Sequence, residues 1–401
     1  MARKDFMINI LLGIGLLGLL TSTAFTILVL FGVRRFTLRR RLSKSKFLPP
    51  VSLFKPLHGA EPNLDAHLET FFQQDYPEYE ILFGARVSSD PGIAAARRVA
   101  ARHPEIPVKF VLTGEPWYVN AKVSTLEMMA RTASHDIFIV SDSDVRVTPD
   151  YVREVVAPFA NENVGAVTCL YRGVADQGVW SKLEATGMSV EMSAGVLVAD
   201  LMEGVQFTLG PTMAARRTCV QEIGGFGMLG AYCADDFVLG NAIAAKGHTV
   251  VLSTHVIDHI VLNTSFADSQ KHQIRWMKST RFSRPKGHFG TCLTFSVPFG
   301  IISALAAVML HHPLLGLGLL GYSVLSRVLL ALLVGGLVVR ERRLWRTAML
   351  FPVRDLLGFI YWAASYGDNT IVWRNQIYRL APGGLMVPPS GRVEHQRLLT
   401  S

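Results

Sequence analysis

An α/β fold with a mostly parallel sheet, set between transmembrane helices at both ends of the chain, is predicted by three features of this sequence. Between residues 51 and about 285, short apolar runs alternate with helix-like stretches. Such an alternation implies parallel strands joined by right-handed crossovers. Residues 7–33, MINILLGIGLLGLLTSTAFTILVLFGV, hold no charge over 27 positions, more than the ~20 a helix needs to cross the hydrocarbon core. After residue 290 the chain turns apolar again. With 401 residues, 50% of them hydrophobic, and a mean hydropathy of +0.30, the chain has room for two or three domains and belongs partly in lipid.

The first apolar run reads as an uncleaved anchor over residues 1–33, because it exceeds the ~15-residue core of a signal peptide and no small-x-small site follows it. A basic linker, residues 34–50, comes next with Arg34, Arg35, Arg39, Arg40, Arg41, Lys44 and Lys46, against only Arg3 and Lys4 before the run. The positive-inside rule then puts the chain beyond residue 34 in the cytosol. The net charge of +9 is read as topology and attraction to anionic headgroups. It is not read as a nucleic-acid footprint, for which the interleaved aromatics are missing.

In the 51–290 domain, VSLFKPL (51–57), EILFGARV (80–87), VKFVLT (108–113), DIFIVSD (136–142) and VGAVTCLY (164–171) read as strands. Helices are expected at about 63–74 with Asn63 as N-cap, 91–102 with Pro91 in the first turn, and 120–133. Residues 292–310 and 314–339 are each long enough to span, forming a hairpin about His311, His312 and Pro313. The cluster RERRLWR (340–346) returns the chain to the cytosol. Residues 348–366, interrupted by Arg354 and Asp355, read as a re-entrant or interfacial helix closing a 291–366 membrane region. A full span would carry Arg374, Arg379, Arg392 and Arg397 of the cytosolic 367–401 tail outside. Cys169, Cys219, Cys233 and Cys292 lie far apart without a CxxC pair, so neither a zinc knot nor a disulfide framework is indicated.

Three motifs point to chemistry. In FIVSDSDVRV (138–147) an apolar run suited to a strand buried on both faces ends in Asp142 and Asp144. Ligands bind at such carboxyl edges in open α/β sheets, although Asp and Ser also suit an ordinary turn. One residue apart on a strand end, the two carboxylates can point the same way, and paired hard oxygens suit Mg²⁺ or Mn²⁺. In ADDF (234–237), Asp235 or Asp236 stands at a helix start, where a cap is the plainer reading. In QIRWMKSTR (273–281), Gln273, Arg275 and Trp276 combine a planar cation able to clamp a diphosphate with a flat wall for a sugar or lipid. The same residue types also suit a juxtamembrane belt. His58, His103, His255 and His259 lack metal-ligand spacing and read as structural or surface groups.

The order Asp90 in SSDPG, Asp142 in SDSD, Asp236 in ADDF, then QIRW resembles the D, D, D, (Q/R)xxRW pattern of processive and lipid-directed family 2 and family 21 glycosyltransferases. The likeness is closer to the ceramide glucosyltransferases. KPLHGAEPNL, LETFFQQDYPEYEIL, SDSDVRVTPDY and TIVWRNQIYRL carry it across residues 51–380. VTCLYRG with WSKL also resembles a bacterial branch that places N-acetylglucosamine on a hopanoid polyol. The resemblance implies a GT-A type nucleotide-sugar-binding domain and a bacterial inner-membrane enzyme. That enzyme would move glucose or N-acetylglucosamine from a UDP-sugar to the hydroxyl of a membrane lipid, ceramide or hopanoid, with inversion. By the same resemblance Asp90 holds the uracil and Lys122 lies near the nucleotide. Asp142 faces ribose and metal, and Asp144 is the main ligand of Mg²⁺ or Mn²⁺, although eukaryotic ceramide enzymes resemble CDSG here and lack that second acid. Asp236 is the general base, and Gln273, Arg275 and Trp276 hold the diphosphate and line the acceptor mouth.

Two other classes compete. A processive polysaccharide synthase shares the motifs but typically carries more spanning helices than are found here. A non-catalytic membrane scaffold has no need of Asp90, Asp142, Asp144, Asp236 and Arg275 together.

Overall fold

The computed structural model describes residues 2–42, 46–263, 265–373 and 376–388. Ser43, Lys44, Arg374, Arg392, Arg397 and Ser401 lie outside the described residues. The chain divides into a sheet unit, made of Arg40–Tyr171, Gly204–Ile260 and the described part of Asn369–Ser401, and a helical unit of Met1–Arg39, Arg172–Glu203 and Val261–Asp368.

The sheet unit is built on β1 (Val51–Pro56), β2 (Tyr79–Ala85), β3 (Val108–Leu112) and β4 (Ile137–Val140). β1 pairs in parallel with β2 and β4, and β2 with β3. Helices Leu64–Phe72, Pro91–Ala100 and Ala121–Thr132 supply the crossovers. The continuous apolar runs form these strands because both sheet faces are covered: every residue of β2 and β4 is buried. Beyond β4 come β5 (Val145–Arg146), β6 (Val164–Ala175), β7 (Met213–Arg216) and β8 (Thr249–Val261), giving the order β3-β2-β1-β4-β7-β6-β8-β5. The pairs β4–β7, β6–β7 and β5–β8 are antiparallel, so the parallel half is closed by an antiparallel one. β1 and β4 are neighbours although β2 and β3 intervene in sequence, which makes the gap between their carboxyl ends the topological switch point.

A small sheet of β9 (Thr370–Trp373), β10 (Gln376–Ala381) and β11 (Leu385–Val387) also belongs to this unit. β11 is bonded to the loop before the second acidic motif: Cys233 N donates to Gly384 O (3.0 Å) and Met386 N to Ala231 O (2.8 Å). Residues 369–373 and 376–388, expected as part of a tail, thus belong to the sheet unit. Conversely, residues 172–203 and 261–290 group with the helical unit, because helix Gly178–Thr186 packs on helices Leu344–Ala364 and Phe266–Ser283.

In the helical unit, Arg3–Arg40 and Pro313–Leu337 are long and apolar enough to cross a membrane. The run at 292–310 is not one straight helix: its helix is Val297–Met309, whose 13 residues rise ~20 Å against the ~30 Å core. It reaches spanning length only with Pro285–Cys292, across a 41° bend. Side chains satisfy the break. Asp355 accepts from Ser296 N (2.9 Å) and Val297 N (2.8 Å), and Arg327 donates to Thr294 O (3.0 Å). Helix Leu344–Ala364 buries Arg354 and Asp355, paired with Glu191 (3.0 Å) and Arg327 (3.5 Å), and exposes Trp345, Met349, Val353 and Ile360.

Asn63 occupies the N-cap position expected of it, but in a left-handed conformation (φ 58°) with no capping bond. The capping bond before Pro91 is made by Asp90 instead.

Candidate active site

The switch point gathers the acids. Ser141 N donates to Phe54 O (3.0 Å), carrying the β4 register one residue past the strand and delivering Asp142 to the edge beside the end of β1. Beneath the turn lies Lys55, fully buried on β1. Its ammonium donates to the Asp142 main-chain oxygen and sits 3.8 Å from the Phe71 ring centroid. Burial pulls Lys55 down to about 7 against the Asp142 and Asp144 carboxylates, which hold it up.

Lys122 stands in the first turn of helix Ala121–Thr132, 2.6 Å from Asp142 Oδ1 and 3.7 Å from Asp235 Oδ2. Burial opposes its charge, but Asp142 and Asp235 outweigh it and keep the ammonium above its ordinary range. Asn120 caps that helix by accepting from Lys122 N (3.1 Å), while its amide donates to Tyr232 O (3.1 Å) and Asp235 Oδ1 (3.3 Å). One helix start thereby ties SDSD to ADDF.

Asp144 Oδ2 faces His259 Nε2 at 3.6 Å, and Asp144 O accepts from Ile260 N (2.8 Å). Its Oδ1 is buried and has no hydrogen-bond partner among the described residues. Lys122 takes only Oδ1 of Asp142, whose Oδ2 points to the Gly210 side. An unpaired buried carboxylate oxygen beside a second carboxylate fits a hard divalent cation, so the residues present suit Mg²⁺ or Mn²⁺.

Asp236, the second residue of helix Asp235–Ala245, accepts from Gly210 N through Oδ2 (2.7 Å) and from Phe237 N through Oδ1 (2.8 Å). A Cβ at Gly210 would lie 3.3 Å from Asp236 Oδ2 and 3.4 Å from Asp142 Oδ2. Both oxygens therefore face one point beside the Gly210 Cα. Burial pushes Asp236 up to about 6, Asp235 adds to it, and Lys122 works against it. A carboxylate in that range can both take and release a proton near neutral pH.

The cap reading of Asp235 fails. Ala234 is the N-cap, and Asp235 is buried against Asn120 and Lys122. Asp90 lies past the carboxyl end of β2, where both its oxygens accept from Gly59 N (3.0 and 3.1 Å) and Oδ1 also from Gly92 N (2.8 Å). Gln273, Arg275 and Trp276 stand on helix Phe266–Ser283 of the helical unit, Gln273 buried and Trp276 against the His272 ring, centroids 4.4 Å apart. At the (Q/R)xxRW spacing, the residue three before Arg275 is His272, one place ahead of Gln273.

Sequence reasoning passed over Lys55, Asn120 and Gly210, each a single residue whose partners come from distant segments, and read His259 as a structural or surface group, whereas it faces Asp144. Cys219, read as one of four scattered cysteines, is brought together by the fold with Glu222 and His248, ligand atoms within 4.8 Å of one another. There His248 Nε2 and Glu222 Oε2 already satisfy each other at 2.6 Å.

The model of the family "Glycosyl transferase family 21" matches residues 15–386. Two curated relatives from Caenorhabditis elegans are similar over most of the chain. Ceramide glucosyltransferase 1 is 25% identical over 87% of this chain and 75% of its own, and ceramide glucosyltransferase 3 is 24% identical over 88% and 78%. Among solved structures, a mannosyltransferase from Pyrobaculum calidifontis in complex with GDP-Man and Mn²⁺ is similar at TM-score 0.49, with 18% identity, covering 86% of this chain and 99% of that one.

Proposed function

The chain belongs to glycosyl transferase family 21, and from that premise we propose that it moves a hexose, glucose or N-acetylglucosamine, from a UDP-sugar to the hydroxyl of a membrane lipid, ceramide or a hopanoid polyol, with inversion. A sugar-transferring enzyme acting on a lipid is what the family establishes. The observation that carries the finer reading is the pair Asp142 Oδ2 and Asp236 Oδ2 about one point at the switch point.

Asp236, held by two main-chain donors, takes the proton of the acceptor hydroxyl as that oxygen attacks the anomeric carbon. The bond to the diphosphate breaks on the opposite face, so one displacement inverts the centre. Asp142 and Asp144 would hold a divalent cation, which neutralises charge on the leaving diphosphate. Lys122 orients the Asp142 carboxylate, and Lys55 fixes the backbone of the turn that bears it. Asp90 is assigned to the base, and Gln273, Arg275 and Trp276 to the diphosphate and acceptor mouth, on their motifs. Membranes containing the protein, given labelled UDP-glucose or UDP-N-acetylglucosamine with ceramide or bacteriohopanetetrol, should move label into the lipid extract. Label in a polymer would favour the processive reading.

The basic clusters support a cytosolic catalytic domain. Because β11 is bonded to residues 231 and 233, the chain between 261 and 368 must return to the side it left. The crossings there are then two, the bent pair Pro285–Met309 and Pro313–Leu337, with Leu344–Ala364 interfacial. A reporter after Ser401 or near Ser43 should be cytosolic, and one in the His311–Pro313 loop external. An external signal from Ser43 would overturn this topology.

A further inference from the structure

Helix Phe266–Ser283 carries Gln273, Arg275 and Trp276, yet its buried residues are Ser269, Gln273 and Lys278, none of them apolar. Its apolar residues Ile274, Trp276, Met277 and Phe282 are only half-buried, so the fully buried polar groups bear on its rotation. At the far end, Lys278 Nζ reaches Asp368 at 2.7 Å. At the near end stands one carboxylate, Glu184 on helix Gly178–Thr186, whose side chain has 0% exposure.

Three side chains of the motif helix and its approach converge on it. Ser269 Oγ donates to Glu184 Oε2 (2.9 Å), Asn263 Nδ2 donates to Oε1 (3.0 Å), and His272 Nδ1 lies 2.6 Å from Oε1. His272 in turn presses its ring on Trp276, one helical turn on and within the motif. A buried carboxylate accepting several hydrogen bonds is a rigid anchor, because each oxygen fixes the direction of its donors. Ser269 and His272, three residues apart, face the same side of the helix, so anchoring both fixes its rotation.

We propose that Glu184 is the positioning residue of the Gln273–Trp276 segment, setting through Ser269 and His272 the rotation at which Arg275 meets the donor diphosphate and Trp276 the acceptor. The proposal rests on the reading of that segment as donor- and acceptor-binding. Glu184→Gln keeps the shape but removes the charge: its one oxygen can still take Asn263 and His272, while its amide can only donate to Ser269 Oγ, so that bond is reversed and the charge-assisted anchoring is lost.

The test uses the full-length chain purified in detergent, with steady-state kinetics in UDP-sugar. Glu184→Gln should raise the donor KM on the order of tenfold while the thermal midpoint stays close to wild type, since a small displacement of a positioning group is costly without unfolding anything. His272→Ala, which removes both the Glu184 contact and the ring on Trp276, should raise it similarly, and the double variant no further than either single one, because both act along one path. Should Glu184→Gln fail to fold, His272→Ala carries the same test. A wild-type donor KM in a folded Glu184→Gln or His272→Ala variant, or a double variant whose effect is the product of the singles, would overturn the proposal. Arg275→Lys separates the two levels: if it raises donor KM while Glu184→Gln does not, positioning by Glu184 is wrong. If Arg275→Lys leaves donor KM unchanged, the reading of the motif itself is wrong.

Discussion

Asp236→Asn should lower turnover by ~10²- to 10⁴-fold, the range assigned to general-base catalysis, while UDP-sugar affinity stays near wild type. Asparagine keeps the size and, with its single acceptor oxygen, one of the two bonds from Gly210 N and Phe237 N, and the helix start, whose N-cap is Ala234, should survive. What it loses is proton affinity. In the wild-type enzyme the same group predicts the pH profile. The base works only when deprotonated, and burial with Asp235 nearby raises it to about 6, so kcat should rise with pH through about 6 and level off above. Asp235→Asn removes a like charge and should move that inflection to lower pH. Because Asp235 also meets Asn120 and Lys122, this variant should cost some activity rather than serve as a silent control. Full activity in Asp236→Asn would place the base elsewhere.

Chelation should abolish transfer, and Mg²⁺ or Mn²⁺ should restore it. The reason is local: Asp144 Oδ1 is a buried oxygen with no partner among the described residues, next to an Asp142 that Lys122 neutralises through one oxygen only. A cation there satisfies both and meets the diphosphate as charge builds on it. Asp144→Asn should accordingly weaken nucleotide binding in the presence of metal and raise the metal concentration needed for half activity. Asp236→Asn should do neither. Undiminished transfer in excess EDTA would remove the metal from the account and leave Lys122 as the cation at Asp142.

Half of this architecture was legible because physics writes it locally. The runs at 51–57, 80–87 and 136–142 are largely apolar, since their strands are covered on both faces, and acids at the end of such a run stand at the sheet's carboxyl edge. β7 was not legible: Met-Ala-Ala-Arg has no β-branched residue and pairs only because β4 and β6 flank it. β8 was hidden by Ser253, His255, Asp258 and His259, several of which answer to partners such as Asp144 and Arg146. Lys55 in an apolar run, Asn120 before a helix and Gly210 in a loop look unremarkable singly, because their meaning lies in groups tens of residues away. The 292–310 run had the composition of a span, but composition does not reveal a break that Asp355 and Arg327 fill from other helices.

The most direct test of the central claim, a single displacement at the Asp142–Asp236 point onto a lipid hydroxyl, is the anomeric configuration of the glycolipid product. The purified protein in liposomes would be given an α-linked UDP-sugar and acceptor lipid, and the anomeric proton of the extracted product read by NMR. The account predicts a β-linked sugar on the lipid, lost in Asp236→Asn. An α-linked product would mean retention, which a single in-line displacement cannot give, and would contradict it.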